Sequence, residues 1–429
     1  MNQRIIKFGA DALDAASLAH SLSRDDCLVF ERFSPTTRQR SVSIVGLRWR
    51  PVSGESFQQT FEAALAAAAH DSELLNLIIC GHESTATLDR ADDFPAFAVF
   101  QVAEYLEIDH EAGTVRHKSS GDVSVSLEVL EKAIAVATMP EHPSHDRQEN
   151  VGAGWAIDTD FDTYEARVRA IQEAISRGQI IGAVLSVGMS RATRAAPLQV
   201  YKEMIRINPS TFGYCVTTEG RALIGSSPLR FLDFKDGHVN LETDAGTRPI
   251  TGNIAIDALA REDLLSNPKD AAEHAVVVDE ETESLVRLSG PNGVTRIIDR
   301  EVRAFSHVMH LYTVLSAQVQ AQVGLVGAVL GLFPPAAVSG RPRGEALRLG
   351  VRVEGRTRGV YGGIIGLTRG AANAEIAVVI RSMWICRGVA HLRVGGKIIA
   401  DSIAQDEYAE AKNKASFLIA ALHHAEHSD

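Results

Sequence analysis

Between residues 211 and 242 the chain passes through four short strand-like runs, at 211–218, 222–224, 231–235 and 238–242. Only two to six residues separate one run from the next. A parallel pair needs a crossover of roughly a dozen residues or more, so runs this closely spaced pair as antiparallel hairpins. The same texture recurs at 27–32, 41–50, 74–80 and 96–105, again at 180–190, and toward the end at 374–381 and 390–394. Residues 302–317 add strand-like residues around His307 and His310. Strands outnumber helices. The predicted fold is α+β, with large antiparallel sheets packed face to face and helices at the periphery.

Helical spacing marks 57–70, 127–138, 161–177, 197–207, 258–265 and 268–287, and Gly178 supplies a stop for the third of these. The prolines and charges of 139–149 mark a linker. The chain therefore divides into an N-terminal α/β portion, 1–145, and a catalytic portion, 155–429, expected to form one intertwined unit. With 429 residues, 45% of them hydrophobic, the chain can bury a large core.

A net charge of −11 argues against nucleic acid as a partner. Cys27, Cys80, Cys215 and Cys386 lack CxxC spacing and read as reduced, mostly buried thiols, as in a cytoplasmic protein. The N-terminus has no signal-peptide pattern. The most apolar run, 323–338, is broken by five glycines or prolines. It reads as a buried helix and turn, so no membrane span is expected. No P-loop, GxSxG or HExxH motif is present, and Gly152-Ala-Gly154 lacks the strand-turn-helix setting of a dinucleotide site.

Two acidic pairs carry more information. Glu407 and Glu410 are three apart in a good helix-forming stretch, with Lys414 one turn further along that face. Asp270 and Glu273 repeat the spacing just after Asn267-Pro268, a helix-start signal. Two such helices can clamp one hard cation from opposite sides. Mg²⁺ suits this arrangement, because it takes few protein carboxylates and keeps positions for water and an anionic substrate.

Seven motifs then come in a telling order. They are Gly-Ser-Ser-Pro (225–228), Ala-Gly-Thr-Arg-Pro (245–249), Asn-Pro-Lys-Asp-Ala-Ala-Glu-His (267–274), Phe-Ser-His-Val-Met-His-Leu (305–311), Val-Ser-Gly-Arg-Pro-Arg (338–343), Arg-Gly-Val-Tyr-Gly-Gly (358–363) and the stretch holding Glu407, Glu410 and Lys414 (400–414). From about 160 to 420 the chain resembles the chorismate-utilising enzymes: anthranilate synthase component I, isochorismate synthase, salicylate synthase and aminodeoxychorismate synthase. The short N-terminal region is similar to salicylate synthase, and the motifs at 245–249 and 306–310 to anthranilate synthase.

The resemblance implies an Mg²⁺-dependent lyase, synthase or isomerase acting at ring C2 of chorismate. It implies Glu273 and Glu410 as direct ligands, with Asp270 and Glu407 in support. It places Arg381 and Tyr361 on the enolpyruvyl carboxylate, Gly246 and Thr247 at the ring, and Gly395 and Gly396 where backbone approaches substrate. Lys414 balances the acidic cluster. His310 lies where pyruvate-eliminating members keep a histidine, and Glu242 where water-adding members keep a general acid.

Four departures fall in the same region: Gly182 for a lysine or glutamine, Ala337 for a threonine, Lys397 for the second glycine of a Gly-Ala-Gly loop, and Leu229 for a glutamate. Lys397 reads as a carboxylate-binding charge, as a displaced base, or as a solvent-facing side chain. Alanine at 245, where the covalent aminodeoxychorismate synthases keep lysine, argues against C4 amination. Without a lysine at 182, ammonia is the favoured nucleophile, supplied from solution or by a glutamine amidotransferase subunit. The product would be 2-amino-2-deoxyisochorismate or anthranilate. The alternatives are an isochorismate or salicylate synthase using Lys397 and Glu242, and a divergent member with a changed substrate or no turnover. Arg32 replaces a serine in the strand that carries feedback inhibition in anthranilate synthases, so no tryptophan inhibition is expected.

Overall fold

The computed structural model describes residues 4–8, 13–22, 26–35, 37–69, 71, 73–81, 94–138, 154–291, 293–304 and 308–427, without the side chains of Thr247 and Val308. The predicted linker at 139–149, Gly152-Ala153, and His307 lie outside the described residues.

Every strand pairing among the described residues is antiparallel, as the short connections require. Two sheet halves share the long strand Phe97–Asp109. One half runs from it through Leu75–Cys80, Ile364–Arg369, Asn373–Val378, Arg230–Lys235, His238–Pro249 and Val308–Gln318 to Val294–Ala304. The other runs through Arg40–Pro51, Leu28–Phe33, Phe212–Thr218, Arg221–Ser227, Ser382–Cys386 and Val389–Ile398 to Gly182–Ala192. Strands from before residue 145 thus pair directly with strands from after 155, at Leu28–Phe33 with Phe212–Thr218 and at Leu75–Cys80 with Ile364–Arg369.

The side-chain alternation of the strands makes three apolar layers. Leu28 and Phe30 face an inner cluster with Leu77, Phe212, Ile365 and Trp384, drawn from both halves. Val29, on the opposite face of the same strand, joins an outer cluster with the helices Ala15–Leu22, Leu127–Ala137, Pro197–Ile207 and Ala404–His427. The outer face of the other half packs on Phe57–Ala68, Pro268–Ser289 and Gly324–Leu332. The order of layers is helix, sheet, sheet, helix, matching the predicted α+β architecture. Among the described residues no helix is long and apolar enough to cross a membrane.

Two strand predictions need correction. The run at 238–242 continues to Pro249, through the Ala-Gly-Thr-Arg-Pro motif, by way of a register shift between Ala245 and Thr247. Gly246 absorbs that shift at φ +73°, a conformation glycine adopts without strain. The stretch at 302–317 is the end of one strand and most of the next.

Candidate active site

At one end of the two sheet halves lies a cavity of about 280 Å³. The first turns of two helices meet over it. Asn267 caps one of them, its side chain accepting from the Lys269 and Asp270 N–H groups, with Pro268 in the first turn. This helix brings Lys269, Asp270 and Glu273 to the cavity. The helix Ala404–His427 brings Glu407, Glu410 and Lys414. The two acidic pairs, some 140 residues apart in sequence, line one space.

Of the predicted site residues, Gly246, Asp270, Glu273, His310, Tyr361, Arg381, Gly395, Gly396, Lys397, Glu407, Glu410 and Lys414 all line this cavity. Thr247 pairs with His310 across the strands, and its side chain lies outside the description. Glu242 is not brought in. It stands 3.5 Å from both Arg230 and Arg303. Two residues further along the same strand face, Asp244 is the carboxylate that reaches the cavity. The period-two alternation that selects Glu242 selects Asp244 equally. Arg393 was also missed, although alternation places it on one face with Gly395 and Lys397. Of the four departures, Leu229, Ala337 and Lys397 line the cavity, while Gly182 stands behind Lys397.

The charges are partly paired. Asp270 accepts from Arg248 at 2.6 Å, and the same guanidinium holds Asp263, so Arg248 ties the Ala-Gly-Thr-Arg-Pro segment to two helices. Lys414 donates to the Gly395 carbonyl at 3.0 Å and lies 2.7 Å from Glu410. Glu407 accepts from the Ser402 hydroxyl at 2.9 Å. Glu273 has Lys269 at 3.8 Å. A Cβ at Gly396 would stand 3.1 Å from Glu407 Oε2, so the carboxylate would have to give by a few tenths of an ångström to admit one.

Convergence shifts the titrations. Burial, opposed by the Ser402 hydrogen bond and aided by the charges of Glu410 and Glu273, pushes the Glu407 carboxyl up to about 7. Burial raises Glu273 too, against the pull of Lys269 and Lys397. Lys414 instead holds Glu410 below the usual range. Burial brings Lys397 down to about 8, although Glu273 and Asp244 favour its charge. Burial also lowers His310 and Arg381, with Asp244 opposing both. His310 Nδ1 lies 2.9 Å from the Gly246 carbonyl. In the neutral ring that contact makes Nδ1 the donor and leaves Nε2 as the acceptor nitrogen.

The donor set of the acidic half is all oxygen, which suits a hard divalent cation. Among the described residues, no three His, Cys, Asp or Glu side chains form a ready-made metal cage. Arg248, Lys269 and Lys414 neutralise the carboxylates instead. Arg381 and Lys397 also line the cavity and suit an anion, beside the apolar residues Leu229, Ala337, Val338 and Ile380, whereas the guanidinium of Arg393 is held by Asp158 and the Ser186 hydroxyl, both at 2.9 Å.

A family pattern described as chorismate binding enzyme matches residues 62–420. Anthranilate synthase component 1 of Bacillus subtilis (strain 168) is 32% identical over 263 residues, which cover 61% of this chain and 51% of that protein. Its counterpart from Mycolicibacterium smegmatis is 29% identical over 357 residues, 76% of this chain and 66% of that protein. The chain spans about half to two thirds of the length of these curated relatives. The menaquinone-specific isochorismate synthase of Escherichia coli superposes with a TM-score of 0.77 at 20% identity, over 98% of this chain and 95% of that one. Anthranilate synthase component I from Streptococcus pneumoniae TIGR4 gives 0.66 at 21% identity, over 98% and 92%. These structural likenesses establish a shared fold.

Proposed function

Because the chain belongs to the chorismate binding enzyme family, we propose that it converts chorismate, or a close analogue, by nucleophilic substitution at ring C2 with ammonia. The observation that carries this reading is the meeting of the Asp270/Glu273 and Glu407/Glu410 turns in one cavity that Arg381 and Lys397 also line. Glu273 and Glu410 would hold Mg²⁺, with Glu407 in support and Asp270 committed to Arg248. Bound Mg²⁺ would neutralise the ring carboxylate and make the ring a better electron sink.

The chain's own groups do the rest. Arg381 and Tyr361 hold the enolpyruvyl carboxylate. The ammonia nitrogen bonds to C2, both ring double bonds move one position (C1=C2 to C1=C6 and C5=C6 to C4=C5), and the C4–O bond breaks; the proton the nitrogen loses balances the one the hydroxyl takes to leave as water. If pyruvate then leaves, His310 Nε2 takes the C2 proton as the C3–O bond breaks and the ring becomes aromatic. Ammonia would come from solution or from an amidotransferase partner; the name component 1 implies a second component for the relatives.

Purified protein incubated with chorismate, Mg²⁺ and ammonium should give 2-amino-2-deoxyisochorismate or anthranilate by mass. Chorismate left unchanged under all conditions would defeat the proposal.

One observation favours a second reading, in which water is the nucleophile. A Cβ at Gly182 would stand 3.8 Å from Lys397 Cγ, so Lys397 passes beside the position of the missing lysine. Its pKa, brought down to about 8, suits a base. In that case Lys397→Met abolishes isochorismate or salicylate formation, and persistence of either at a normal rate would rule this reading out.

A further inference from the structure

Away from the cavity, two of the four thiols meet. Cys27 stands immediately before the strand Leu28–Phe33, and Cys215 lies within its neighbour Phe212–Thr218. The ladder sets Val29 opposite Cys215, and the Thr217 N–H donates to the Cys27 carbonyl at 2.8 Å. Alternation therefore makes the two cysteines diagonal neighbours on one face of the sheet. Their sulfurs are 3.6 Å apart, in the apolar cluster shared with the helices Ala15–Leu22 and Pro197–Ile207. Both are free thiols. Cys80 and Cys386 belong to two other clusters. The pair is asymmetric. Cys215 is fully buried in a strand held by ladders on both sides. Cys27, 7% exposed, is the most accessible of the four and sits at a strand end. A hydrogen bond from Cys215 holds the Cys27 thiol below its ordinary value, whereas burial pushes Cys80 up to about 12. The thiolate is the nucleophilic form, so Cys27 is the sulfur prepared to react first.

We infer that Cys27 and Cys215 are a site of reversible oxidation by hydrogen peroxide, closing to a disulfide that latches the N-terminal portion of the chain to the catalytic portion. The Cys27 thiolate attacks one peroxide oxygen, the O–O bond breaks, and a sulfenic acid and hydroxide result. The Cys215 sulfur then attacks the Cys27 sulfur. The S–O bond breaks, and the Cys215 proton leaves with the hydroxyl as water. Two thiols are oxidised and the peroxide is reduced to the level of water. A disulfide bond of about 2.05 Å asks the sulfurs to close by about 1.5 Å. Rotation of Cys27 and a small shift of its strand end supply that movement. The loop so closed spans 188 residues.

Treating the full chain with hydrogen peroxide, unfolding it and alkylating it without reductant tests this directly. The intact mass before alkylation should fall by two hydrogens, and two of the four thiols should escape alkylation. Peptide mapping should find Cys27 joined to Cys215, and dithiothreitol should restore both thiols. Cys215→Ala should halt at a Cys27 sulfenic acid that dimedone traps. Cys27→Ala should keep its remaining thiols through the same treatment. The cross-linked wild type should melt higher, by up to about 6 °C if the closed loop acts through chain entropy alone. Thermal unfolding also reports whether each variant is folded, and the wild-type peptide map stands without the variants. Four alkylatable thiols after treatment, a Cys27 carried on to sulfinic acid, or a disulfide to Cys80 or Cys386 instead would overturn the inference. A cross-linked chain that melts no higher than the reduced one would overturn the latch.

Discussion

Replacing Arg358 with methionine should be among the most damaging single changes next to the site. Arg358 and Glu354 are both fully buried and form a two-pronged pair, Nη2 to Oε1 at 2.7 Å and Nε to Oε2 at 3.0 Å. The guanidinium also donates to the carbonyls of Val184 at 2.6 Å and Val338 at 3.1 Å, both cavity residues. Glu354 in turn accepts from the Ser186 N–H at 2.8 Å. Removing one partner leaves a buried carboxylate and two carbonyls short of donors, which costs about 3–5 kcal/mol. Unfolding entropy of about 2.1 cal/mol/K per residue, taken over 429 residues, is ~0.9 kcal/mol/K. The melting temperature should therefore fall by about 3–6 °C in differential scanning calorimetry. Tyr361, whose N–H donates to the Arg358 carbonyl at 3.2 Å, should lose its position, and KM should rise. Replacing both partners, as Arg358→Met with Glu354→Leu, should cost clearly less than the two single changes added together. A drop below 1 °C for Arg358→Met, or strict additivity in the double variant, would refute the reasoning.

Three further outcomes follow from the site. A carboxyl raised to about 7 in the folded chain stabilises below its unfolded value near 4.5 and loses that contribution as pH rises through 7. Glu407→Gln should thus gain on the order of 2–3 kcal/mol over the wild type between pH 5 and pH 8, read by thermal unfolding; parallel pH curves would contradict it. Asp244→Asn should cut kcat/KM at least about tenfold with little change in melting temperature, whereas Glu242→Gln should mainly lower stability; the reverse pattern would restore Glu242 to the site. Gly395→Ala would put a Cβ 2.5 Å from the Leu185 carbonyl and 3.0 Å from the Tyr361 hydroxyl. It should lower both stability and substrate affinity, and wild-type values for both would show that the strand can yield.

The parts of the fold legible in the sequence were those where one physical rule dominates. Strands such as Leu75–Cys80, buried on both faces, read as nearly continuous apolar runs, here interrupted by Asn76, which donates to the Thr368 hydroxyl at 3.2 Å. The capped helix starting at Pro268 announces itself through Asn267. The strands that escaped notice lack that signal. Val294–Ala304 pairs with a single neighbour and is largely exposed, so its sequence is charged. Thr114–Ser119 carries Arg116, His117 and Lys118, and its His117 is satisfied only by Glu104, distant in sequence, at 2.8 Å. The continuation of His238 to Pro249 was hidden by Gly246, whose positive φ allows a register shift that alternation alone does not anticipate. In the site, the acidic pairs were visible as pairs. Their neutralisation was not, because Arg248 reaches Asp270 across the fold.

That neutralisation supports the proposal that this end of the molecule is the reactive one. A carboxylate in the first turn of a helix is favourable, since the helix N-terminus is positive. Asp270 and Glu407 have that position; Glu273 and Glu410 lie one turn further in. Bringing both pairs to one cavity buries four carboxylates near each other; burial foremost, and the neighbouring carboxylates after it, raise Glu273 and Glu407. The chain answers with Arg248 on Asp270 and Lys414 on Glu410. Glu273 and Glu407 receive only an exposed lysine, a serine hydroxyl and the more distant charge of Lys397. Rules that hold everywhere else in a fold are broken at its functional sites, and the unrelieved cost has to be met by something that binds. Two under-neutralised carboxylates, one from each helix and facing across a polar cavity, call for a ligand that is positive toward them and can accept a negative partner on its far side. A divalent cation carrying an anionic substrate meets both conditions.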